Sequence, residues 1–381
     1  MPTEQQVREA LRSVMDPEIG RPIEDLGMLR GIALEGDRVV VDVLITIEGC
    51  PLKDRITADV TNALAPLPDV AGVDVRLSPM SQEQREALVA TLRGGAAAPQ
   101  TKIAFPPQTA IVAIASGKGG VGKSSVTVNL AAALAAEGHR VGVLDADVWG
   151  FSVPRMLGVS GQPVGFENMI LPLESHGVKV ISMGFFVPEE TPVIWRGPML
   201  HKAIEQFLGD VYWGDLDFLL CDLPPGTGDV SISLASFLPG ASMLVVTTPQ
   251  EAARKVAERA GKMAERTNLR PIGVVENMSY YVCPHCGERD DIFGTGGGRE
   301  AAETLGVPLM AQVPLIPAVR AGGDTGTPIV VSDPDSAASI ALVEAARAVA
   351  RTTKTKVGKP LSLIATGAGG NGGGHQHQHQ H

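Results

Sequence analysis

Cysteine is scarce in this 381-residue chain, which holds only Cys50, Cys221, Cys283 and Cys286. Four thiols in a chain this long make no disulfide framework, which excludes the cross-linked secreted scaffolds and fits a reducing cytoplasm. Basic runs are also lacking. Lys and Arg total 32 against 42 Asp and Glu, a formal net charge of −10. Nucleic-acid binding needs clustered cations to neutralise phosphates, so it is excluded as the main task. No apolar run reaches the length of a membrane span, so no membrane partner is expected. The start, Met1-Pro2-Thr3-Glu4-Gln5-Gln6, is polar and acidic and reads as no signal peptide. Periodicity is missing after Lys354, and the end alternates His and Gln. That stretch reads as a disordered tail carrying an affinity tag, or else a native metal-binding segment.

What is present is the composition of a globular protein, 44% hydrophobic and 19% charged. The length suits about two to three domains. The strongest local signal is Ser116 to Ser125, Ser-Gly-Lys-Gly-Gly-Val-Gly-Lys-Ser-Ser. Gly117, Gly122, Lys123 and Ser124 fill every fixed place of the phosphate-loop pattern G-x-x-x-x-G-K-[ST]. Lys118, Gly119, Gly120 and Val121 lie between them, and Ser125 leads into the next element. A strand-like run, Ile111 to Ala115, precedes the loop, and a helix-like run, Ser125 to Glu137, follows it. This strand–loop–helix context is what the motif needs. Turned-in backbone N–H groups, the positive end of the helix dipole and the Lys123 charge together cradle phosphate. Lys118 is unusual. A second cation beside Lys123 is unfavourable unless an anion lies between the two or Lys118 points elsewhere.

Residues 1–95 read as a small α/β domain. Thr3 with Gln6 forms a capping box before a helix through Leu11 and Val14. Leu29–Leu34 and Val39–Ile47 read as strands joined by a turn at Gly36-Asp37. Lys53–Leu64 reads as a helix, Val70–Leu77 as a strand, and Ser81 with Gln84 caps a last helix through Leu92. Residues 96–108 are rich in small residues and proline and read as a linker. In residues 109–352 strands alternate with helices. The expectation is a doubly wound, mostly parallel sheet of the P-loop NTPase type. The helix after the loop shows Val126, Leu130 and Leu134 on one inward face. Residues 353–381 form the tail.

Three further groups carry chemistry. Strand-like His139–Leu144 ends in Asp145-Ala146-Asp147, and carboxylates at strand C-termini lie at the ligand crevice of such sheets. Either acid also suits a helix N-cap. The apolar run Leu219-Leu220-Cys221 ends in Asp222, a Walker B arrangement in which the acid, with the Ser124 hydroxyl, holds Mg2+. Cys221 lies on the strand itself and reads as structural. Finally, Cys283-Pro284-His285-Cys286-Gly287 is a C-x-x-C knuckle whose two sulfurs can grip one metal. Two thiolates are half of a tetrahedral set, and a cluster, a structural zinc and a redox pair all remain open.

The G-K-G-G-V-G-K-S loop resembles that of the MinD/ParA/nitrogenase-iron-protein class of ATPases. That resemblance implies a homodimer with two ATP molecules between the subunits, in which Lys118 reaches the partner's nucleotide. It also implies that Asp147 positions the attacking water and Asp145 supports the magnesium shell. Pro224-Pro225-Gly226-Thr227-Gly228-Asp229 would then be switch II, and Asn277, in Glu276-Asn277-Met278-Ser279, would bond the adenine edge. Asp16-Pro17-Glu18, Asp25-Leu26-Gly27-Met28 and Thr46 through Cys50-Pro51-Leu52 are similar to the PaaD-like domain of iron–sulfur assembly factors. There Cys50 would sit at a strand-to-helix turn, where a helix dipole favours a reactive or metal-binding thiolate. A small buried hydrophobe is the other reading.

Val148-Trp149-Gly150, Trp195-Arg196-Gly197-Pro198, Asp291-Ile292-Phe293-Gly294, Val313-Pro314-Leu315 and Gly322-Gly323-Asp324 resemble the Mrp/ApbC branch of that class. The branch implies an ATP-hydrolysing carrier that delivers [4Fe–4S] clusters to apo iron–sulfur proteins. In a homodimer, two copies of Cys283 and Cys286 would supply four sulfurs to one bridging cluster. A MinD/ParA-like positioning ATPase is the rival, and so is an ATPase with zinc at the knuckle. The glycine-rich tail and acidic charge argue against the positioning role.

Overall fold

The computed structural model describes residues 2–17, 19–46, 53–68, 70–92, 103, 105–147, 150–166, 169–186, 197–226, 229–238, 240–250, 253–283 and 285–353. Cys50 with Pro51-Leu52, Val148-Trp149, Trp195-Arg196, Thr227-Gly228, most of the linker and the tail from 354 lie outside the described residues.

Two hydrophobic cores form. In the first, α1 (Glu4–Leu11) starts at Thr3, where Thr3 and Gln6 each accept a bond from the other's backbone N–H. This capping box satisfies two donors that a helix start leaves free. The helix buries Val7 and Leu11. Strands β1 (Leu29–Glu35) and β2 (Arg38–Ile45) form an antiparallel hairpin about Gly36-Asp37. Helix α2 (Lys53–Leu64) then crosses to β3 (Gly72–Pro79), which pairs parallel with β2. Helix α3 (Gln82–Leu92) follows, and Ser81 and Gln84 repeat the reciprocal cap.

The second core surrounds an eight-stranded sheet. Its chain order begins with β4 (Ala110–Ala115), α4 (Lys123–Ala136), β5 (Val141–Asp145) and the short α5 (Val153–Met156). Short strands β6 (Val164–Phe166), β7 (Met169–Leu171) and β8 (Leu173–Ser175) come next, then β9 (Val178–Ser182) and α6 (Gly197–Gly209). After these run β10 (Phe218–Asp222), α7 (Asp229–Phe237), β11 (Ser242–Thr247), α8 (Ala253–Thr267) and β12 (Arg270–Glu276). The last elements are β13 (Tyr281–Val282), β14 (Arg289–Asp290), α9 (Gly297–Leu305), β15 (Leu309–Gln312), α10 (Pro317–Thr325), α11 (Ile329–Ser332) and α12 (Ala337–Thr353).

Spatial order in the sheet is β15-β12-β11-β4-β10-β5-β9-β8, and only β8 runs antiparallel. Strand β10 lies between β4 and β5, so the chain leaves β4, skips a place and later fills it. Crossings of this kind open a crevice at the strand C-termini. Strands β5, β10 and β11 are buried along their whole length, as a sheet covered by helices on both faces requires.

One expectation from the periodicity is too narrow. Val126, Leu130 and Leu134 do face inward, but Thr127, Val128, Asn129 and Ala131 to Ala133 are buried too. Helix α4 lies beneath α11 and α12 as well as on the sheet, so no side of it faces solvent for long. Its small Ala side chains permit that double packing.

The two cores share one strand. Met169 and Leu171 of β7 belong to the N-terminal core. Between them, Ile170 donates its N–H to Asp210 and accepts from Tyr212, each at 2.8 Å.

Candidate functional site

The loop from Ser116 to Gly122 bridges β4 and α4 at the crevice. Gly122 has φ 77°, and a Cβ there would run into the Asn277 side chain. Only glycine meets both demands. The Asn277 amide donates to the Val121 carbonyl at 2.9 Å. The structure therefore brings Asn277 to the loop as a brace on its backbone, a role the adenine reading did not foresee. Residues 118–125 line a cavity of about 200 Å3 together with Asp147, Ser152, Met156 and Pro225. A larger cavity of about 1040 Å3, lined by His139, Arg140, Lys179 and Trp213 among others, gathers none of these groups.

Asp222 is the hub. It is fully buried and accepts from Lys123 Nζ at 2.6 Å and Ser124 Oγ at 2.5 Å on one oxygen. Thr127 Oγ1 donates to its other oxygen at 2.7 Å. A buried carboxylate is stable only when paired and bonded in this way. Thr127 escaped the sequence reading. Its one signal is its place four residues after Lys123, one helical turn on. The Ser124 hydroxyl and the Asp222 carboxylate are hard oxygen donors converging at the loop, a donor set that fits Mg2+.

Strand register puts a second acid beside this hub, since Asp145 is the partner of Asp222 across β5 and β10. Asp145 accepts from the Asp147 backbone N–H at 3.1 Å and from Ser182 Oγ at 2.9 Å. Burial, and then the Asp222 charge, push its carboxyl up to about 8, so it holds a proton at neutral pH. Asp147 lies beside the cavity with its carboxylate 4.0 Å from Lys123 Nζ. Among the described residues, neither acid begins a helix.

The two loop lysines part company. Lys123 turns inward to Asp222, while Lys118 turns away and donates to the side chain of Gln250. That separation resolves the repulsion expected from their spacing. Gln250 itself carried no signal in the sequence.

Cys283 and Cys286 sit on a small hairpin made by β13 and β14. The Cys283 N–H donates to Glu288 O at 2.9 Å, and the Gly287 N–H donates to Cys283 O at 2.9 Å. Cys286 is exposed and Cys283 partly so. Backbone N–H groups of Cys286 and His285 point at the Cys283 sulfur and hold its thiol below the usual range. The same contacts favour its thiolate form, the form that ligates metal. Cys221 is the opposite case: burial in β10, reinforced by Asp222, pushes its thiol far up. Arg289 stacks 4.1 Å from the Tyr280 ring centre and bonds Asp291, which stiffens the hairpin base. Among the described residues, no group of three or more His, Cys, Asp or Glu side chains is gathered to hold a metal.

A phosphate loop on a parallel sheet, with a buried acid bonded to its lysine and serine, defines a P-loop NTPase. Residues 108–350 match the family described as "NUBPL iron-transfer P-loop NTPase", and residues 4–75 match "Iron-sulfur cluster assembly protein". The chain belongs to the NUBPL iron-transfer P-loop NTPase family, whose members hydrolyse ATP. It is 52% identical over 365 residues to the iron-sulfur cluster carrier protein of Mycobacterium leprae, covering 94% of this chain and 95% of the relative. It is 43% identical over 356 residues to the carrier of the same description from Synechocystis, covering 92% and 98%. Among solved structures, a nucleotide-binding protein of Archaeoglobus fulgidus in complex with ADP superposes with a TM-score of 0.53 at 36% identity, covering 60% of this chain and 90% of that one. The septum site-determining protein MinD of Pyrococcus horikoshii, with Mg-ADP, gives 0.50 at 24% identity, covering 65% of this chain and 100% of that one, and shows the shared fold.

Proposed function

We propose that this protein carries iron–sulfur clusters to apo iron–sulfur proteins and uses ATP binding and hydrolysis to do so. One observation supports this most. Cys286, exposed, and Cys283, partly exposed and with its thiol held below the usual range, stand on a hairpin that leaves the sheet after Asn277, the residue bracing the nucleotide loop. The cargo is a [4Fe–4S] cluster, gripped by the two cysteines of each of two copies, because two thiolates fill half of a tetrahedral set. The working unit is a homodimer, and the compartment is the cytoplasm. No described helix is long and apolar enough to cross a membrane. Residues 1–95 act as an accessory unit joined through 96–108 to the ATPase unit, 109–352, with Cys50 as an accessory thiol.

On nucleotide entry Lys123 leaves Asp222 for the phosphates; Asp222 and Ser124 would hold Mg2+, which would neutralise charge developing on the phosphates. Asp147 orients the water that attacks the γ-phosphorus. The P–O bond to ADP breaks, ADP leaves with the bridging oxygen, and the water's oxygen stays on inorganic phosphate. Lys118 exchanges Gln250 for the partner's nucleotide. Gly117, Gly119, Gly120, Val121, Gly122 and Ser125 present backbone to the phosphates. Protonated Asp145 keeps negative charge low beside Asp222.

Anaerobic reconstitution of the full chain with iron and sulfide, followed by visible spectroscopy and metal analysis, tests the reading. The expected product is brown, with iron and sulfide in equal amounts at one cluster per two chains. Colourless protein with stoichiometric zinc would overturn it in favour of a structural zinc.

A further inference from the structure

Between β12 and α9 the chain makes an excursion, residues 277–296, that carries both hairpin cysteines. Its body is exposed at Val282, His285, Cys286 and Glu288, so little holds it from outside. Backbone bonds from Ser279 to Val313 and from Leu315 to Tyr280 fix the outgoing foot, and one side chain joins it to the returning foot. Glu276, 1% exposed at the end of β12, accepts from the Ser279 hydroxyl on the outgoing foot. Its other oxygen accepts from the Gly298 N–H on the returning foot. Gln312 of β15 completes the set at 2.7 Å. All three donors are neutral groups.

We infer that Glu276 is a positioning residue that couples the nucleotide loop to the cysteine hairpin. Its neighbour Asn277 donates to Val121 inside the loop, so a change in loop backbone displaces the end of β12. Glu276 then passes that displacement to both feet at once. A second contact runs the same way: a Cβ on Gly297 would meet the Pro249 and Gln250 carbonyl oxygens, and Gln250 holds Lys118. Loop and hairpin are therefore tied through packed, hydrogen-bonded groups, which is the physical basis a coupling needs. The inference takes its purpose from cluster carriage at Cys283 and Cys286, but the link itself exists in metal-free protein.

Hydrogen–deuterium exchange on the full-length, metal-free chain, with and without Mg-ADP, tests it. In the wild type, Mg-ADP slows exchange in 117–124 and also in 281–298, the latter by about fivefold or more, as for linked sites. In Glu276→Gln the amide nitrogen opposes one of the donors. Protection of 117–124 should persist, ADP affinity should stay within about threefold, and the response of 281–298 should disappear. Ser279→Ala removes the Glu276 bond to the outgoing foot alone, leaving its backbone bonds to Val313 and Leu315, and should weaken the response in 279–290 while sparing Gly298. A response of 281–298 in Glu276→Gln equal to the wild type overturns the inference, as does its absence from the wild type. If Glu276→Gln fails to fold, an unchanged response of 279–290 in Ser279→Ala overturns it. Failure to bind a cluster would overturn the carrier reading alone and leave these exchange results standing.

Discussion

The nucleotide loop and the cysteine hairpin sit on one sheet and are built in opposite ways. Around the loop, Lys123 and Thr127 are buried and donate to buried Asp222, and buried Asp145 beside them accepts from Ser182. On the hairpin, the turn between two strands of two residues each carries Cys286, exposed, and Cys283, partly so. A site that must close around phosphate in water gains from preorganised, low-dielectric charge. A site that must give its cargo to another protein gains from exposure, since the recipient's ligands have to reach it. The difference shows within one residue type: burial pushes the Cys221 thiol up and leaves it inert, and backbone N–H groups of Cys286 and His285 draw the Cys283 thiol down.

Three variants sharpen or break that contrast. Lys123→Ala has the largest expected effect. ATP turnover should fall by about 10²–10³ or more, as when a transition-state donor is lost. Asp222 would lose its buried cation, so stability in urea should fall by about 3 kcal/mol or more. A variant as stable as the wild type would mean the loop is not the interlocked site described. Cys283→Ala comes next. Cluster reconstitution should be abolished, while unfolding free energy moves by only about 0.5 kcal/mol, because the side chain is a surface feature. A large stability loss would show that the hairpin is structural.

Asp145→Asn is the smallest change. The folded protein holds the Asp145 proton up to about pH 8, whereas the ordinary value is 3.8. Between those values the unfolded chain binds fewer protons than the folded one, so this group's stabilisation is full below the lower value and drains away as pH rises. Asn mimics the protonated acid. In metal-free, nucleotide-free protein the variant should melt a few degrees above the wild type at pH 8, with the gap closing towards pH 4. Parallel melting curves at every pH would place a charged Asp145 beside Asp222.

The loop and the Asp222 strand were legible because each is local and has fixed spacing. Lys123, Ser124 and Gly122 need only their neighbours in sequence to be recognised. Ser182, Gln250 and Glu276 needed the fold. Asp145 meets Asp222 because β10 inserts between β4 and β5, and no periodicity states that order. The full burial of α4 depends on α11 and α12 lying over it, some 200 residues further along the chain. Short elements such as α5 and the β6–β7 pair hold three or four residues, too few to show a period. Helix α10 begins with a proline and carries Gly322-Gly323, which hid it among the turn signals.

Strand β7 has a consequence for how such a protein can be assembled or taken apart. Met169 and Leu171 grow from the ATPase half of the chain yet complete the other half's core. The two halves are therefore not beads on a string. A version of this chain that lost its first unit would keep the stump of the joint, two oily side chains with nothing to shelter them. Its lineage would have to cap, shorten or recolour that hairpin before the shorter protein could stay in solution.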